Sequence, residues 1–218
     1  PTRRSSDLPL QKEYINFLRS LFRDAGTADY LAGAYMTGIL PIIKYNTESA
    51  LSDFIEYTMV DPVNLGEYIG FTEKEVEEIC RKYPKSDFKE MKKWYDGYYI
   101  EDAGHIYCPN SVMKAAPNGK YNSYWASTSA FESLKYYIEM DYDGLRQAIE
   151  KMLDGEEYPV NTSSFQNNLN QIKDRDDVMT ILVHLGYLAY DSVRRTVRIP
   201  NLEIRQTFLN TIKAGNSQ

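Results

Sequence analysis

The sequence predicts an α+β fold that is mainly α-helical, with only small β elements. Most apolar residues recur three or four positions apart, which is the spacing of one helix face, and these segments end at Gly, Pro or Asn. The short β-type runs flank turn-forming residues instead, as strands of hairpins do. The chain has 218 residues, of which 43% are hydrophobic and 26% charged. This composition is typical of a globular protein with a hydrophobic core.

The N-terminal part predicts a helix followed by a buried segment. Apolar residues recur at helical spacing from Leu10 to Phe22, and Gly26 follows as a helix-ending residue. The run Tyr30–Ile42 is nearly uncharged and rich in small and apolar residues. A short uncharged run after a helix is typical of a strand buried on both faces of a sheet, although a buried helix has the same pattern. We therefore expect a buried strand here, with the buried helix as the alternative.

The middle of the chain predicts several helices and one hairpin. Thr72–Glu75 has the pattern of a capping box and starts a helix. A second helix, Asp87–Trp94, stops at the turn pair Asp96-Gly97. The runs Tyr98–Ile100 and His105–Tyr107 are expected to pair as a hairpin across a turn. Three further predicted helices are Ser111–Ala116, Ser127–Glu139 and Gly144–Leu153.

The C-terminal part has the outline of a winged-helix module. Asp176–Leu185 predicts an amphipathic helix with one apolar face. The runs Leu188–Asp191 and Thr196–Pro200 flank a polar turn and predict a two-stranded wing. Asn201 is placed to cap a last helix. The order helix, wing, helix favours a winged-helix-like fold.

Charge and cysteine content limit the partners and the compartment. The formal net charge is −6, but residues 173–213 alone carry +2, so the rest of the chain carries −8. Since an acidic surface repels nucleic acid, any such contact is expected to be weak and to come from Arg194, Arg195 and Arg198 on the wing. A solvated surface is the alternative for these arginines. Two cysteines favour a reducing, cytoplasmic setting, and no apolar run reaches the ~20 residues of a membrane span.

The motifs of catalysis and metal binding are incomplete in this sequence. The closest approach to a phosphate-binding GxxxxGK[ST] loop is Gly33–Gly38, which Ile39-Leu40 follows in place of Lys and Ser or Thr. His105 and Cys108 have the spacing of half a metal site, but no other His or Cys is near enough in sequence to complete it. We therefore predict neither a cofactor site nor a metal site. Glu90-Met91-Lys92 matches part of a nuclease motif, but its charged helical setting favours surface residues.

Ten short segments, spread over almost the full length of the chain, are informative when they are taken together. They are PLQKEY (9–14), FLRSLF (17–22), AYMTGILPI (34–42), SALSDF (49–54), EYTM (56–59), GFTEKEV (70–76), KKWYDGY (92–98), NSYW (122–125), HLGYLAYD (184–191) and IPNLEIR (199–205). Together they resemble the predicted AAA-ATPase-like family of bacterial proteins, which are often followed by a PD-(D/E)XK nuclease-like domain.

The resemblance implies a division of the chain and one catalytic-side residue. Residues 9–60 would be a remnant of a P-loop NTPase sheet, 61–170 a helical lid, 171–213 the winged-helix-like module and 214–218 a tail. Thr37 falls where the sensor-1 strand of the family ends, and its hydroxyl would face the γ-phosphate and the attacking water. Ser52 departs from the family, whose members tend to carry Asn there. ATP and Mg²⁺ would bind the full-length parent, and none is expected in this fragment.

The resemblance also implies that the chain is a truncated fragment of metagenomic origin. The Walker A and B motifs of the family would precede Pro9, and Pro1–Leu8 matches the translation of a common sequencing adapter. The expected partners are therefore the missing P-loop half and a nuclease-like domain after Gln218, with weak nucleic-acid contact and no membrane.

Three hypotheses for the function remain open. The first is the C-terminal half of an ATPase that acts in a nucleic-acid-linked process and is inactive as this fragment. The second is a non-enzymatic winged-helix module that binds nucleic acid or a protein partner. The third is a helical interaction domain without catalytic ancestry.

Overall fold

The computed structural model describes residues 7–23, 26, 29–38, 54–125, 136–138, 141–163, 165 and 172–215. The fold is α+β, as predicted. The longer α-helices in these ranges are α1 (Asp7–Arg23), α2 (Glu73–Lys82), α3 (Phe88–Tyr95), α4 (Pro109–Ala115), α5 (Leu145–Leu153), α6 (Arg175–His184) and α7 (Leu202–Gly215). The strands are β1 (Phe71–Thr72), β2 (Tyr98–Ile100), β3 (Gly104–Tyr107), β4 (Tyr158–Pro159), β5 (Ala189–Asp191) and β6 (Thr196–Arg198).

The chain divides into two compact units, and the smaller one contains α1. This unit comprises Pro1–Glu56 with Gln166–Asn168. α1 confirms the predicted first helix but begins at Asp7, inside the adapter-like segment, of which residues 1–6 lie outside the described part of the chain. Within the unit, the ring of Phe22 contacts Phe54 edge-on, with 4.9 Å between centroids.

The predicted buried strand at Tyr30–Ile42 is wrong over the residues that the structure describes. Residues 30–38 form no strand, and the side chains of Tyr30 and Tyr35 are 70% and 84% exposed. An uncharged run is buried in a sheet only where strands lie on both sides of it, and the described residues of this unit supply none. Residues 39–42 and Ser52 lie outside the described ranges.

The larger unit, Tyr57–Phe165 with Leu169–Gln218, contains a first antiparallel sheet in the order β1-β3-β2. The predicted hairpin is confirmed, and Tyr98 pairs with Ile106. The predicted capping box is also confirmed: Thr72 Oγ1 accepts from Glu75 N, and Thr72 N donates to Glu75 Oε2. α2, α3, α4 and this sheet enclose a small core built from Val76, Met91, Tyr95, Tyr107, Val112, Ala115 and Ala116.

A second antiparallel sheet has the order β4-β6-β5. β5 and β6 are the predicted wing, whereas β4 was not predicted because its two residues pair with a strand almost forty positions later. Asn201 caps α7 as predicted, since its Oδ1 accepts from Ile204 N at 3.0 Å. The helix continues to Gly215, beyond the predicted start of the tail at residue 214.

Helix α6 departs from its predicted amphipathic character. Every residue from Asp177 to Val183 is buried. Residues of the predicted lid and of the last helix pack around α6 in one core. This core contains Ile138, Leu145, Ile149, Met152, Ile181, Leu182, Leu188 and Phe208. The predicted boundary between residues 170 and 171 therefore does not separate two independent cores.

Candidate functional site

Thr37 is the residue to which the sequence assigns a catalytic-side role. It lies in the smaller unit, in an irregular segment with its side chain exposed. The hypothesis that Thr37 faces a nucleotide in a complete protein stays a prediction.

The three wing arginines have different surroundings, and two of them are engaged within the chain. Arg198 is half-buried, and its guanidinium donates to the carbonyl oxygen of Gly97 at 2.8 Å. Arg194 forms ion pairs with Glu157 at 3.2 Å and with Asp191 at 3.9 Å. Arg195 is exposed in the wing turn with a φ of 55°. Of the three predicted phosphate contacts, Arg195 is therefore the one whose side chain makes neither an ion pair nor a hydrogen bond with the described residues.

The turn Asp96-Gly97 joins the first hairpin to the wing and α7. Asp96 ends α3 in an extended conformation, and its carbonyl oxygen accepts from Asn201 Nδ2 at 2.8 Å. Gly97 has a φ of 119°, and a Cβ at this position would collide with the carbonyl oxygen of Pro200. Only glycine allows this close approach of two backbones. The same turn thus holds β2 against the C-terminal elements.

Glu203 is a buried carboxylate that holds the segment before residue 126 against α7. It is 1% exposed, and its Oε1 accepts from Tyr124 N at 2.7 Å, Trp125 N at 2.8 Å and Ser111 Oγ at 2.9 Å. Burial raises the pKa of Glu203, and these hydrogen bonds oppose the rise. Glu203 therefore acts as an internal anchor of the fold.

A polar cleft opens between the start of α2 and the tip of the β2–β3 hairpin. Its volume is about 380 Å³, and it is lined by Thr72, Glu73, Lys74, Glu77, Ala103, Gly104 and His105. The Nδ1 atom of His105 lies 3.0 Å from Oδ1 of Asp96, a buried carboxylate that also accepts from Gly97 N. The ring of Tyr99 contacts His105 edge-on. The cleft is thus linked, through Asp96, to the turn that contacts the wing and the start of α7.

Two further groups define the electrostatics of the cleft. Lys92 Nζ forms an ion pair with Glu73, and the hydrogen bond from this lysine lowers the pKa of Glu73. The hydroxyl of Tyr107 is buried and lies near the carboxylate of Glu73. Burial, and then the charges of Asp96 and Glu73, raise the pKa of this hydroxyl.

The remaining sequence motifs have structural roles. Cys108 is the residue before α4 and accepts from Ser111 Oγ at 3.6 Å, so His105 and Cys108 serve different neighbours. Among the residues that the structure describes, no three His, Cys, Asp or Glu side chains are grouped to hold a metal ion. In the nuclease-like motif, Met91 is fully buried, and Asp87 caps α3 by accepting from Lys89 N and Glu90 N.

Comparison of the chain with protein-family models, curated proteins and solved structures yields no match. In the described ranges, no helix has both the length and the apolar character needed to cross a membrane.

Proposed function

We propose that this chain supplies the helical lid and the C-terminal module of a bacterial, cytoplasmic AAA-ATPase-like protein, and that this module docks against protein rather than recognising DNA. In this proposal, ATP and Mg²⁺ bind the P-loop half of the parent protein, with Thr37 as a sensor residue. The ten-segment sequence resemblance supports the ATPase relationship. The winged-helix assignment of α6, β5, β6 and α7 is part of the same proposal.

The burial of α6 is the observation that carries the docking role. A helix that recognises DNA in the major groove must present several polar side chains to the base edges. In α6 the residues from Asp177 to Val183 are buried, and the first turn adds the acidic Asp176. This helix therefore acts as the centre of a core and has no face left to lie in a groove.

The surroundings of the wing arginines also favour docking against protein over recognition of DNA. Arg198 and Arg194 already interact with Gly97, Glu157 and Asp191. Phosphate contacts supply most of the affinity of non-specific DNA binding, and each lost contact lowers both the affinity and its salt dependence. A wing that contributes chiefly Arg195, on a chain with a net charge of −6, is expected to bind DNA weakly.

Fluorescence anisotropy with labelled duplex and single-stranded DNA at physiological salt tests the proposal. We expect dissociation constants weaker than about 10 μM, which is near the non-specific range. The variant Arg194→Ala/Arg195→Ala removes two surface cations and leaves the Arg198–Gly97 hydrogen bond intact. Submicromolar binding that this variant abolishes would instead favour the alternative function, a nucleic-acid-binding module that acts through the exposed wing turn.

The ATPase relationship has its own test in the genomic sequence upstream of Pro9. A GxxxxGK[ST] motif and an acidic Walker B motif in the same reading frame are expected there. An upstream region that encodes a different protein or a stop codon would contradict the proposal.

A further inference from the structure

The turn that follows α4 contains the pair Asn118-Gly119. The side chain of Asn118 is exposed and therefore has room to rotate. The next residue is glycine, which has no side chain to shield its backbone nitrogen. In such a pair, this nitrogen can reach the side-chain carbonyl carbon of the asparagine with little steric hindrance. Asparagine is among the chemically labile residues of proteins, and here its neighbour favours an intramolecular reaction.

Contacts with the loop between α2 and α3 hold this turn in one position. Gly119 lies against the backbone of Lys85, and an atom added to its Cα would collide with the carbonyl oxygen of Lys85. Two residues later, the hydroxyl of Tyr121 accepts from Asp87 N at 2.7 Å and donates to the carbonyl oxygen of Asp87 at 3.2 Å. The turn is thus fastened to the start of α3 by backbone contacts on both sides of residue 120.

The closed turn protects the pair from reaction. Asn118 N and Gly119 N both donate to the carbonyl oxygen of Ala115, at 3.2 and 2.9 Å. The Gly119 nitrogen must give up its proton before it can attack a carbonyl carbon, and this proton is held by Ala115. The end of a helix opens at a lower free energy than the core. The reaction is therefore expected to proceed from the opened turn, at a rate set by how often the turn opens.

We propose that Asn118 is a site of spontaneous modification and that its isoaspartyl product prevents the turn from closing again. When the turn opens, the Gly119 nitrogen attacks Cγ of Asn118. The bond from this nitrogen to Cγ forms, the Cγ–Nδ2 bond breaks, and the side-chain nitrogen leaves as ammonia with the proton from Gly119. Water then opens the resulting ring at either of its two carbonyl carbons and gives aspartate or isoaspartate. This inference does not depend on the proposed function.

The two products are expected to affect the turn differently. Aspartate leaves the length of the main chain unchanged. Isoaspartate carries the main chain through the former side chain and adds one methylene before Gly119, and the contact of Gly119 with Lys85 leaves no room for the displacement. The displacement also reaches Asn122, whose N and carbonyl oxygen both bond the hydroxyl of Tyr95 at 3.1 Å. The isoaspartyl chain is therefore expected to lose the contacts of this turn with the small core.

Peptide mass spectrometry of the full chain, incubated at mildly alkaline pH, tests the modification. Each product is detected by the mass gain that accompanies replacement of the amide NH₂ by OH. Tyr121→Phe removes both hydrogen bonds to Asp87 and should accelerate the loss of Asn118 about tenfold, which corresponds to about 1.4 kcal/mol of lost stabilisation of the closed turn. Tyr99→Phe is the matched control, since Tyr99 is 56% exposed on the first hairpin and should leave the rate unchanged. In the native chain, the rate should also rise with urea below the unfolding transition.

Amide hydrogen exchange tests the consequence of the modification. The isoaspartyl chain, separated from the aspartyl chain by chromatography, is compared with the variant Asn118→Asp, which has the same new charge without the longer main chain. We expect Gly119 and Asn122 to exchange at least about tenfold faster in the isoaspartyl chain, while Asn118→Asp keeps the native protection. The proposal is overturned if Tyr121→Phe and Tyr99→Phe lose Asn118 at the same rate, if urea leaves that rate unchanged, or if the isoaspartyl chain is protected as well as Asn118→Asp.

Discussion

The guanidinium of Arg198 donates a 2.8 Å hydrogen bond to the carbonyl oxygen of Gly97, a residue 101 positions earlier in the chain. Next to it, Asn201 Nδ2 donates to the carbonyl oxygen of Asp96. The wing and the start of α7 are thus fastened to the turn between α3 and β2. An arginine that the sequence offers as a phosphate contact joins two parts of the fold instead.

We predict that Arg198→Ala destabilises the protein. The substitution removes a charged donor from a half-buried carbonyl oxygen, which typically costs about 1.5–3 kcal/mol. Arg195→Ala is the matched control, since Arg195 is exposed on the same hairpin and its loss should change the free energy of unfolding by less than about 0.5 kcal/mol. Urea unfolding of both variants measures the difference. Equal stabilities of the two variants would show that the Arg198–Gly97 bond contributes nothing.

We predict a larger loss for Gly97→Ala. A Cβ at Gly97 meets the backbone of Pro200, and the φ of 119° is strained for any L residue. The collision and the strain together should cost about 3 kcal/mol or more. Gly104→Ala separates the two effects, because Gly104 has a φ of 74° but nothing within 4 Å of its Cβ position. It should cost only the conformational strain of about 1–2 kcal/mol, and thermal unfolding of both variants provides the comparison.

Glu203 is predicted to tolerate glutamine but not alanine. All three donors to the Glu203 side chain, from Ser111, Tyr124 and Trp125, point at Oε1, which glutamine retains. Alanine leaves these donors without their acceptor and should cost at least about 3 kcal/mol. Glutamine also removes a buried charge, so Glu203→Gln should be as stable as the native chain at pH 7 or more stable. A large destabilisation by glutamine would contradict this account of the carboxylate.

The same residue predicts a pH dependence. Because burial raises the pKa of Glu203 in the folded state, the folded protein binds more protons than the unfolded chain between pH 4.5 and that raised pKa. The contribution of Glu203 to stability is therefore complete below pH 4.5 and is lost as the pH rises through the folded pKa. The stability difference between Glu203→Gln and the native chain should grow with pH over this window. A constant difference from pH 4 to pH 8 would show that the pKa of Glu203 is not raised.

The sequence predicted the elements that depend on local signals. The capping box at Thr72, the cap at Asn201 and the hairpin at Tyr98–Tyr107 all follow from residues a few positions apart. The strands β1 and β4 have two residues each and exist only because distant strands pair with them. No local sequence pattern therefore predicts them.

Burial was harder to predict than helix formation. α6 contains Asp177 and Thr180, which suggest a polar face, but Asp177 accepts from Lys173 N and Thr180 donates to the carbonyl oxygen of Asp176. With these groups paired locally, the helix can be buried on every side. In the segment after Tyr30, the absence of charge suggested burial. Burial in a sheet also needs neighbouring strands, and the sequence of the segment itself does not show whether these exist.

The candidate site was partly visible in the sequence. The predicted hairpin sets Tyr99 opposite His105, which brings the residues before β2 near the imidazole. The contact of His105 with Asp96 and the place of α2 across the cleft depend on tertiary packing. Along the sequence, Cys108 is the nearest candidate for a second metal ligand beside His105. In the fold, the group that contacts the His105 ring is the carboxylate of Asp96.

Hydrogen exchange followed by mass spectrometry tests most directly whether the proposed lid and the proposed C-terminal module form one body. The two cores are joined by the Asp96-Gly97 turn and by packing of α3 against α7. We therefore predict that peptides covering α3 and α6 open with the same free energy and lose protection together as urea is added. Loss of protection in α3 while α6 and the wing remain protected would contradict the account, because the C-terminal module would then be an independent domain.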